Sequence, residues 1–248
     1  MTTPARTDGI RFDFRDRVVL VTGVARPGQI GYAVARAFGE AGAKLVVCDR
    51  NAVAVSERAR ELAALGLEAR PAAGDLTEPD AAAIAMETAQ KHFGRLDVVV
   101  NVAGGLTTYG PIERTTVADF DREVAINLKT TFLVSQAAVE PLAATRGAIV
   151  NFASIAYVQP AGQMAVYTAA KAAVAGFTRS LAVELFDRGI RVNAIAPGMV
   201  RTGDNVSQAG PEAHYVEMAQ IADGVLFLAS DAASGITGHV MPITRGKV

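Results

Sequence analysis

Tyr167 and Lys171 stand four residues apart in segment 163–186, whose apolar spacing is typical of a helix. Side chains four residues apart on a helix lie one turn apart on the same face, so the phenol and the ammonium would be neighbours. A phenol has an ordinary pKa of about 10 and exchanges protons poorly at neutral pH. An ammonium about 5 Å away would stabilise the phenolate by roughly 3 kcal/mol and lower the pKa of the phenol by about two pH units. The pair could therefore act as a general acid or base, although an ordinary surface pair on an amphipathic helix has the same spacing.

A serine, Ser154, lies thirteen residues before Tyr167 and directly follows an apolar run that is typical of a buried strand. Its hydroxyl could donate a hydrogen bond to a substrate oxygen and stabilise the charge that develops there. With five tyrosines in the chain, the joint spacing of Ser154, Tyr167 and Lys171 is much less expected by chance than any one of its pairs.

The elements that would position these side chains alternate along the chain. Short β-branched runs, nearly continuous in apolar character, predict strands at 18–22, 44–48, 68–72, 96–101, 148–152, 191–195 and 238–243. Longer stretches of helical period predict helices at 30–41, 52–65, 79–93, 117–144, 163–186 and 216–229, and Gly42, Gly66, Gly94 and Gly189 would end four of them. The alternation predicts one α/β domain over residues 1–248, a doubly wound (Rossmann) parallel sheet of about seven strands with helices on both faces, preceded by an extension at 1–16.

The first predicted strand leads into a glycine-rich turn that runs from Gly23 to Gly31. Backbone N–H groups at such a turn and helix N-terminus can bind a pyrophosphate, although glycines there are common for conformational reasons alone. Eighteen residues after Gly31 the second strand reaches Asp49, whose carboxylate could bind ribose hydroxyls; a solvated strand end is the alternative. A carboxylate would repel a 2′-phosphate, which favours NAD as cofactor. Arg26 or Arg50 could reach a phosphate, so NADP stays open.

With these residues in place, the chain resembles the short-chain dehydrogenase/reductase family from Val18 to about Gly246. The resemblance is carried by Thr22-Gly23, Asp75, Asn101-Val102-Ala103-Gly104, Asn127, Ser154, Tyr167 with Lys171, and Pro197-Gly198 followed by Thr202. It implies a catalytic tetrad of Asn127, Ser154, Tyr167 and Lys171, in which Asn127 would hold a water that links Lys171 to solvent. It also implies a cofactor site formed by Gly23, Gln29, Ile30, Gly31, Asp49, Asp75, Leu76, Asn101, Ala103, Gly104, Pro197, Gly198, Val200 and Thr202, together with Tyr167 and Lys171.

The chain departs from the family pattern at two places. Gly31 lies eight residues after Gly23, and Gln29 takes the place of the middle glycine, so the turn is two residues longer than usual. That turn is similar to the one in enoyl-acyl-carrier-protein reductases, which have a longer Tyr-to-Lys spacing than the four found here. Near the C-terminus, segment 203–215 is a short substrate loop where family members commonly carry a longer helical lid, and Arg245 stands where relatives usually have glycine.

Composition and charge exclude several classes of protein. A net charge of −1 and a pI near 6.3 argue against nucleic acid or an anionic membrane as partner. One cysteine, no signal-peptide pattern and no membrane-length apolar stretch predict a soluble cytoplasmic protein. The three histidines are far apart, so no metal site is expected. The resemblance implies a homotetramer, in which the helices at 117–144 and 163–186 would pack against a second subunit.

Three functions remain open at this point. The first is an NAD-preferring oxidoreductase that transfers a hydride between its cofactor and a carbonyl or secondary alcohol, with Tyr167 as general acid or base. Its small-molecule substrate would lie among segments 105–109, 155–163 and 203–215. The second is an NADPH-dependent 3-oxoacyl-acyl-carrier-protein reductase. The third is a non-catalytic dinucleotide sensor, from which loss of the tyrosine or the lysine would be expected.

Overall fold

The computed structural model describes residues 12–246, and its strands form one seven-stranded parallel sheet in the order β3-β2-β1-β4-β5-β6-β7. The strands are β1 (Val18–Thr22), β2 (Lys44–Asp49), β3 (Ala69–Ala73), β4 (Val98–Asn101), β5 (Ala148–Phe152), β6 (Arg191–Pro197) and β7 (Val240–Ile243). The helices are α1 (Ile30–Glu40), α2 (Ala52–Ala64), α3 (Pro79–Phe93), α4 (Val117–Val124), α5 (Thr130–Thr145), α6 (Ala165–Glu184), α7 (Gly203–Ala209) and α8 (Met218–Ala229).

Helices cover both faces of the sheet, which explains why its strands read as continuous apolar runs. All five residues of β1 are buried, and they alternate between two cores. Val19 and Val21 belong to the core under α1 and α8, whereas Val18 and Leu20 belong to the core under α3 and α5. The predicted doubly wound parallel sheet is confirmed, and its strand order reverses between β1 and β4.

The predicted boundaries of the elements agree with the structure to within about two residues, with two exceptions. The helix predicted at 117–144 is interrupted by a π-helical turn at Ala125–Lys129, between α4 and α5. The loop predicted at 203–215 contains α7. The four glycines expected to end helices all have positive φ angles, between 71° and 95°: Gly42, Gly66, Gly94 and Gly189.

The segment before β1 contributes to the core. Phe14 is buried and packs edge-to-face on Phe38 of α1, with ring centroids 4.8 Å apart, and its N–H donates to Ala41 O at 2.8 Å. The predicted extension 1–16 thus holds a core residue, while residues 1–11 of it lie outside the described chain. The assignment of residues 1–248 to one domain stays a prediction. Within residues 12–246, no helix is long and apolar enough to cross a membrane.

Asp97, just before β4, is a fully buried carboxylate at the amino end of the sheet. It accepts hydrogen bonds from Val18 N at 2.8 Å and from Arg95 Nε and Nη2 at 2.9 and 2.6 Å. Asp97→Ala would leave the Val18 amide unpaired and open a cavity, so we expect a loss of about 2–3 kcal/mol in the free energy of unfolding. Urea denaturation measures it.

The matched control for Asp97 is Asp231→Ala. Asp231 is 90% exposed and pairs with Arg17 at 3.4 Å, so its replacement should change stability by no more than about 0.5 kcal/mol. Equal effects of the two substitutions would show that the buried contacts of Asp97 do not stabilise the sheet.

Candidate active site

The turn after β1 is tied to the ends of β2 and β4, because parallel strands bring their carboxyl ends to one edge of the sheet. Thr22 Oγ1 accepts hydrogen bonds from Val102 N and Ala103 N, both at 3.0 Å. Asp49, at the end of β2, accepts from Ala25 N at 3.0 Å through Oδ2. A Cβ built on Gly23 would lie 3.1 Å from the backbone of Ala103, so this turn approaches the β4 loop closely. Three predicted parts of the cofactor site are therefore brought together.

The glycine-rich turn delivers an open helix N-terminus. Helix α1 begins at Ile30 after Gln29, has no side-chain cap and carries no acidic residue in its first turn. Its first N–H groups therefore lack partners from its own helix and can bind an anion. A Cβ on Gly31 would lie 2.2 Å from Gly23 O, so the helix starts directly against the turn. The extra length of this turn relative to the family stays a prediction.

The two arginines that the sequence left as rivals of Asp49 differ in their surroundings. Arg26 forms an ion pair with Asp204 of α7, with 2.6 Å between Nη2 and Oδ2. Arg50 acts through its charge on Asp75, a residue of the loop after β3 that the resemblance includes in the cofactor site. The pKa of Asp75 lies below its usual value, chiefly because its carboxylate accepts from Thr77 N at 3.0 Å.

Asn101, the last residue of β4, belongs to a buried polar network. Its Nδ2 donates to Ser135 Oγ at 3.1 Å and to Asn151 Oδ1 at 2.9 Å, and Asn151 Nδ2 donates to Thr178 Oγ1 at 3.0 Å. This network joins β4 and β5 to α5 and α6, and the expected part of Asn101 in the cofactor site stays a prediction. The side chain at this position therefore holds the framework beneath the site.

The serine, tyrosine and lysine of the predicted tetrad meet at the end of β5. Ser154 Oγ accepts from Ala156 N at 3.2 Å, which leaves its O–H free as a donor, and the hydroxyl lies close enough to Tyr167 to affect the pKa of the phenol. Lys171 is buried one turn further along α6, donates to Phe152 O at 2.8 Å, and has its Nζ 5.9 Å from the centre of the Tyr167 ring. The three side chains are neighbours, with Ser154 and Lys171 buried and Tyr167 half-buried.

Burial controls the proton affinities of this cluster. It raises the pKa of Tyr167 above its usual value, although the hydrogen bond from Ser154 acts in the opposite direction. Burial also lowers the pKa of Lys171 to about 8, and the nearby charge of Glu123 partly counteracts this. We expected Lys171 to lower the pKa of Tyr167, but burial of the phenol raises it.

Asn127, the fourth predicted catalytic residue, lies in the π-helical turn. Its Oδ1 accepts from Gly105 N and its Nδ2 donates to Gly105 O, both at 3.0 Å. A Cβ on Gly104 would lie 2.7 Å from Asn127 Oδ1, so a larger residue at Gly104 would displace the amide. Asn127 thus holds the loop after β4 against α4, and its predicted water-binding role stays a prediction.

The segment after β6 is anchored at both ends. Gly198, next to Pro197, donates to Ile243 O of β7 at 2.9 Å, and Val200 forms an isolated parallel bridge with Val216. Thr202 caps α7 by accepting from Asn205 N at 3.2 Å. The described segment is therefore a short helix fixed to the sheet, in place of the expected loop.

Two residues that the sequence did not explain hold this helix in place. Tyr215 is fully buried, and its hydroxyl donates to Gly210 O at 2.6 Å, at the end of α7. Arg245, which replaces the usual glycine, has a φ of 55° and donates to Tyr215 O at 3.2 Å. The positive φ shows why relatives favour glycine at this position, and the hydrogen bond shows what the arginine adds.

Comparison with known proteins decides the family. A family model described as enoyl-(acyl carrier protein) reductase matches residues 23–247. The chain belongs to the short-chain dehydrogenase/reductase family. It is 36% identical to the D-threitol dehydrogenase of Mycolicibacterium smegmatis, over 98% of each chain.

Solved structures of short-chain dehydrogenase/reductases support the same assignment. A 7α-hydroxysteroid dehydrogenase complexed with NADH and 7-oxo glycochenodeoxycholic acid superposes with a TM-score of 0.89 and 30% identity, covering 96% of each chain. A 3-oxoacyl-acyl-carrier-protein reductase of Brucella melitensis superposes with a TM-score of 0.88 and 33% identity, covering 98% of this chain and 96% of that one. This short-chain dehydrogenase/reductase is therefore an oxidoreductase that transfers a hydride between a nicotinamide cofactor and a carbonyl or alcohol.

The described residues of this short-chain dehydrogenase/reductase fit a nicotinamide dinucleotide. The uncapped N-terminus of α1 offers N–H donors for a pyrophosphate, and Asp49 offers an acceptor for ribose hydroxyls at the neighbouring strand end. Leu76, in the segment after β3, is buried, and Ala103, in the segment after β4, is half-buried. Among residues 12–246, no group of three histidine, cysteine, aspartate or glutamate side chains is arranged to hold a metal ion.

One buried group of the site was missed in the sequence. Glu123 of α4 is fully buried and contacts both Asn127 and the loop after β4. The available signal was its position one helical turn before Asn127, on the face that the resemblance directs inward. Ser135, Asn151 and Thr178 of the buried network carried no such signal.

Proposed function

We propose that this chain is an NAD-preferring dehydrogenase/reductase for a carbonyl and secondary-alcohol pair, with Tyr167 as general acid and base. The observation that carries the proposal is the cluster at the end of β5, in which Ser154 and Tyr167 are neighbours and Lys171 is held by its hydrogen bond to Phe152 O. Proton exchange with substrate needs a phenol, a charge that stabilises its phenolate, and a donor for the substrate oxygen. The cluster contains all three.

In alcohol oxidation, Tyr167 would take the hydroxyl proton while Ser154 hydrogen-bonds the substrate oxygen. Lys171 would lower the cost of the phenolate through its charge. Asn127 would orient the loop after β4 and hold the water through which Lys171 exchanges protons with solvent. When bound, NAD supplies the hydride acceptor. In carbonyl reduction Tyr167 returns the proton, so one residue serves both directions.

The carboxylate of Asp49 supports a preference for NAD. Its oxygens accept from the backbone of Ala25 and Asn51, at 3.0 and 3.2 Å, so the carboxylate is held at the end of β2 beside the glycine turn. A fixed negative charge there disfavours a 2′-phosphate. Arg26 is paired with Asp204, which leaves Arg50 as the cation that supports the NADP alternative.

Titration of NADH and NADPH by cofactor fluorescence tests this preference. We expect the wild type to bind NADH at least about tenfold more tightly than NADPH, a difference of about 1.4 kcal/mol. Asp49→Ala should narrow the gap because it removes the repulsion of the 2′-phosphate. Asp80→Ala, an exposed carboxylate in the first turn of α3, is the matched control and should leave the ratio unchanged. Tighter NADPH binding by the wild type would contradict the proposal.

The second candidate is an NADPH-dependent 3-oxoacyl-acyl-carrier-protein reductase. It is favoured by the close superposition on the Brucella melitensis enzyme of that name. The two candidates separate in one assay, because the second requires NADPH together with a 3-oxoacyl thioester. Turnover of the thioester with NADPH, combined with tight NADPH binding, would replace the first proposal by the second.

We also propose a homotetramer in the cytoplasm. Large apolar side chains are exposed on the outer helices, with Val117 and Phe120 on α4 and Val183 on α6 exposed by 77%, 49% and 80%. Exposed apolar groups on long helices support contact with further subunits. Cys48 is a free thiol whose pKa burial raises to about 12, which supports a structural role in a reducing compartment.

A further inference from the structure

Glu123 is a fully buried carboxylate with a complete set of hydrogen-bond donors around it. Its Oε2 accepts from Thr107 N at 3.1 Å, from Thr108 N at 3.0 Å and from the Thr107 hydroxyl. Its Oε1 accepts from Asn127 Nδ2 at 3.2 Å, and its main-chain oxygen accepts from the same amide at 3.0 Å. The carboxylate therefore joins α4, the π-helical turn and the loop after β4.

The charge of Glu123 reaches the catalytic cluster. Helix α6 packs on α4, and its titratable groups that face Glu123 are Lys171 and Tyr167, whose pKa values Glu123 raises in both cases. On its own helix, Arg122 is occupied by an ion pair with Asp119. Tyr109, the titratable residue of the loop after β4, is 66% exposed. Lys171 is thus the cation that compensates this carboxylate.

A buried carboxylate is costly unless hydrogen bonds and a nearby cation offset its desolvation. An apolar side chain at position 123 would avoid that cost, whereas here four donors and the Lys171 ammonium balance it. The same ammonium is the group that would stabilise the Tyr167 phenolate. The charges of Glu123 and Lys171 therefore each offset part of the desolvation cost of the other.

We propose that Glu123 is a positioning residue of the active site, whose buried carboxylate holds Thr107, Thr108 and Asn127 in place through hydrogen bonds and places a negative charge where α4 packs on α6, the helix of Tyr167 and Lys171. This inference rests on the proposed function, since it assigns Glu123 to the reaction of the same cluster. The loop that contains Thr107 and Thr108 follows β4 at the sheet edge where substrate is expected. Glu123 would then affect both substrate affinity and proton transfer.

The direction of the pH effect follows from charge alone. A negative charge beside Tyr167 and Lys171 makes it harder for either group to lose a proton. Removal of that charge therefore lowers the pH at which the coupled pair loses its first proton, whichever residue releases it. In Glu123→Gln we expect the alkaline limb of kcat/KM for carbonyl reduction to move down by about one pH unit. The tyrosinate absorbance of Tyr167, obtained in the absence of cofactor by subtracting the Tyr167→Phe titration, should move in the same direction.

Two further variants separate the charge from the hydrogen bonds. Glu123→Asp keeps the charge but shortens the reach, and Thr107→Val removes one donor and leaves the carboxylate. Both should raise KM by several-fold and keep the wild-type pH profile. A pH profile of Glu123→Gln that superposes on that of the wild type would overturn the proposal. A shifted tyrosinate titration in Thr107→Val would also overturn it, because this variant keeps the carboxylate. The Thr107→Val titration is the test should Glu123→Gln not fold. Activity that survives in Tyr167→Phe would refute the proposed function but not the role of Glu123, because the tyrosinate titration needs no turnover.

Discussion

Tyr167→Phe is expected to lower kcat by about a thousandfold or more for both alcohol oxidation and carbonyl reduction. The substitution removes the hydroxyl that lies beside Ser154 and that is proposed to exchange the proton with substrate, while the ring stays in place beside Lys171. General acid–base catalysis contributes about 10²–10⁴ in rate, and the loss of the hydrogen-bonded partner of Ser154 adds to it. Cofactor binding should stay close to the wild type, because the hydroxyl is the part removed.

Steady-state kinetics in both directions measure this effect, with NADH titration as the check on folding. Tyr32→Phe is the matched control, since its hydroxyl contacts Glu61 of α2 and the same atom is removed away from the cluster. The control should retain nearly all activity. If Tyr167→Phe kept about a tenth of the wild-type kcat, Tyr167 would not be the general acid or base.

Lys171→Met is expected to give a protein that is more stable and much less active. Burial lowers the pKa of Lys171 from 10.5 to about 8, so below pH 8 the folded protein holds a charge that costs about 3 kcal/mol. This cost is what remains after the attraction of Glu123, which the pKa of about 8 already includes. Methionine removes the cost together with the hydrogen bond to Phe152 O, for a net gain of about 2 kcal/mol at pH 7. The kcat should fall about a hundredfold, because no ammonium then stabilises the phenolate.

The difference in stability between Lys171→Met and the wild type depends on pH. Between the folded pKa of about 8 and the unfolded value of 10.5, the unfolded chain binds more protons, so wild-type stability rises with pH in that window. The advantage of Lys171→Met should therefore be greatest at pH 7 and shrink towards pH 10.5. Urea denaturation at pH 7 and pH 10 measures it. A variant less stable than the wild type at pH 7 would show that the buried ammonium stabilises the fold.

The parallel sheet could be predicted because its strands are buried on both faces. Each of β1, β2 and β5 reads as an apolar run, and Asp49 and Ser154 stand at the sheet edge where β2 and β5 end. The spacing of Tyr167 and Lys171 could be predicted in the same way, from the period of a helix. Both signals are local, and a single sequence preserves them.

The burial of Glu123, Asn101 and Tyr215 and the partners of their side chains could not be predicted, because they depend on how the chain packs in three dimensions. The buried Glu123 carboxylate is matched by a lysine 48 residues later and by a loop that precedes it. Asn101 reaches Asn151 across the sheet, and Tyr215 closes back on Gly210 at the end of α7. A polar residue in an apolar context has several burial solutions, and tertiary contacts choose among them.

The π-helical turn at Ala125–Lys129 sets the rotation of one end of this long helix against the other. Glu123 and Leu142 are both fully buried and stand 19 residues apart, whereas five turns of α-helix take about 18 residues. The wide turn absorbs the extra residue, so the carboxylate stays in line with the leucine on the inner face. Removing one residue there would rotate α4 by about 100° and carry Glu123 away from the cluster. The number of residues in this helix thus determines whether Glu123 can occupy its place in the proposed active site.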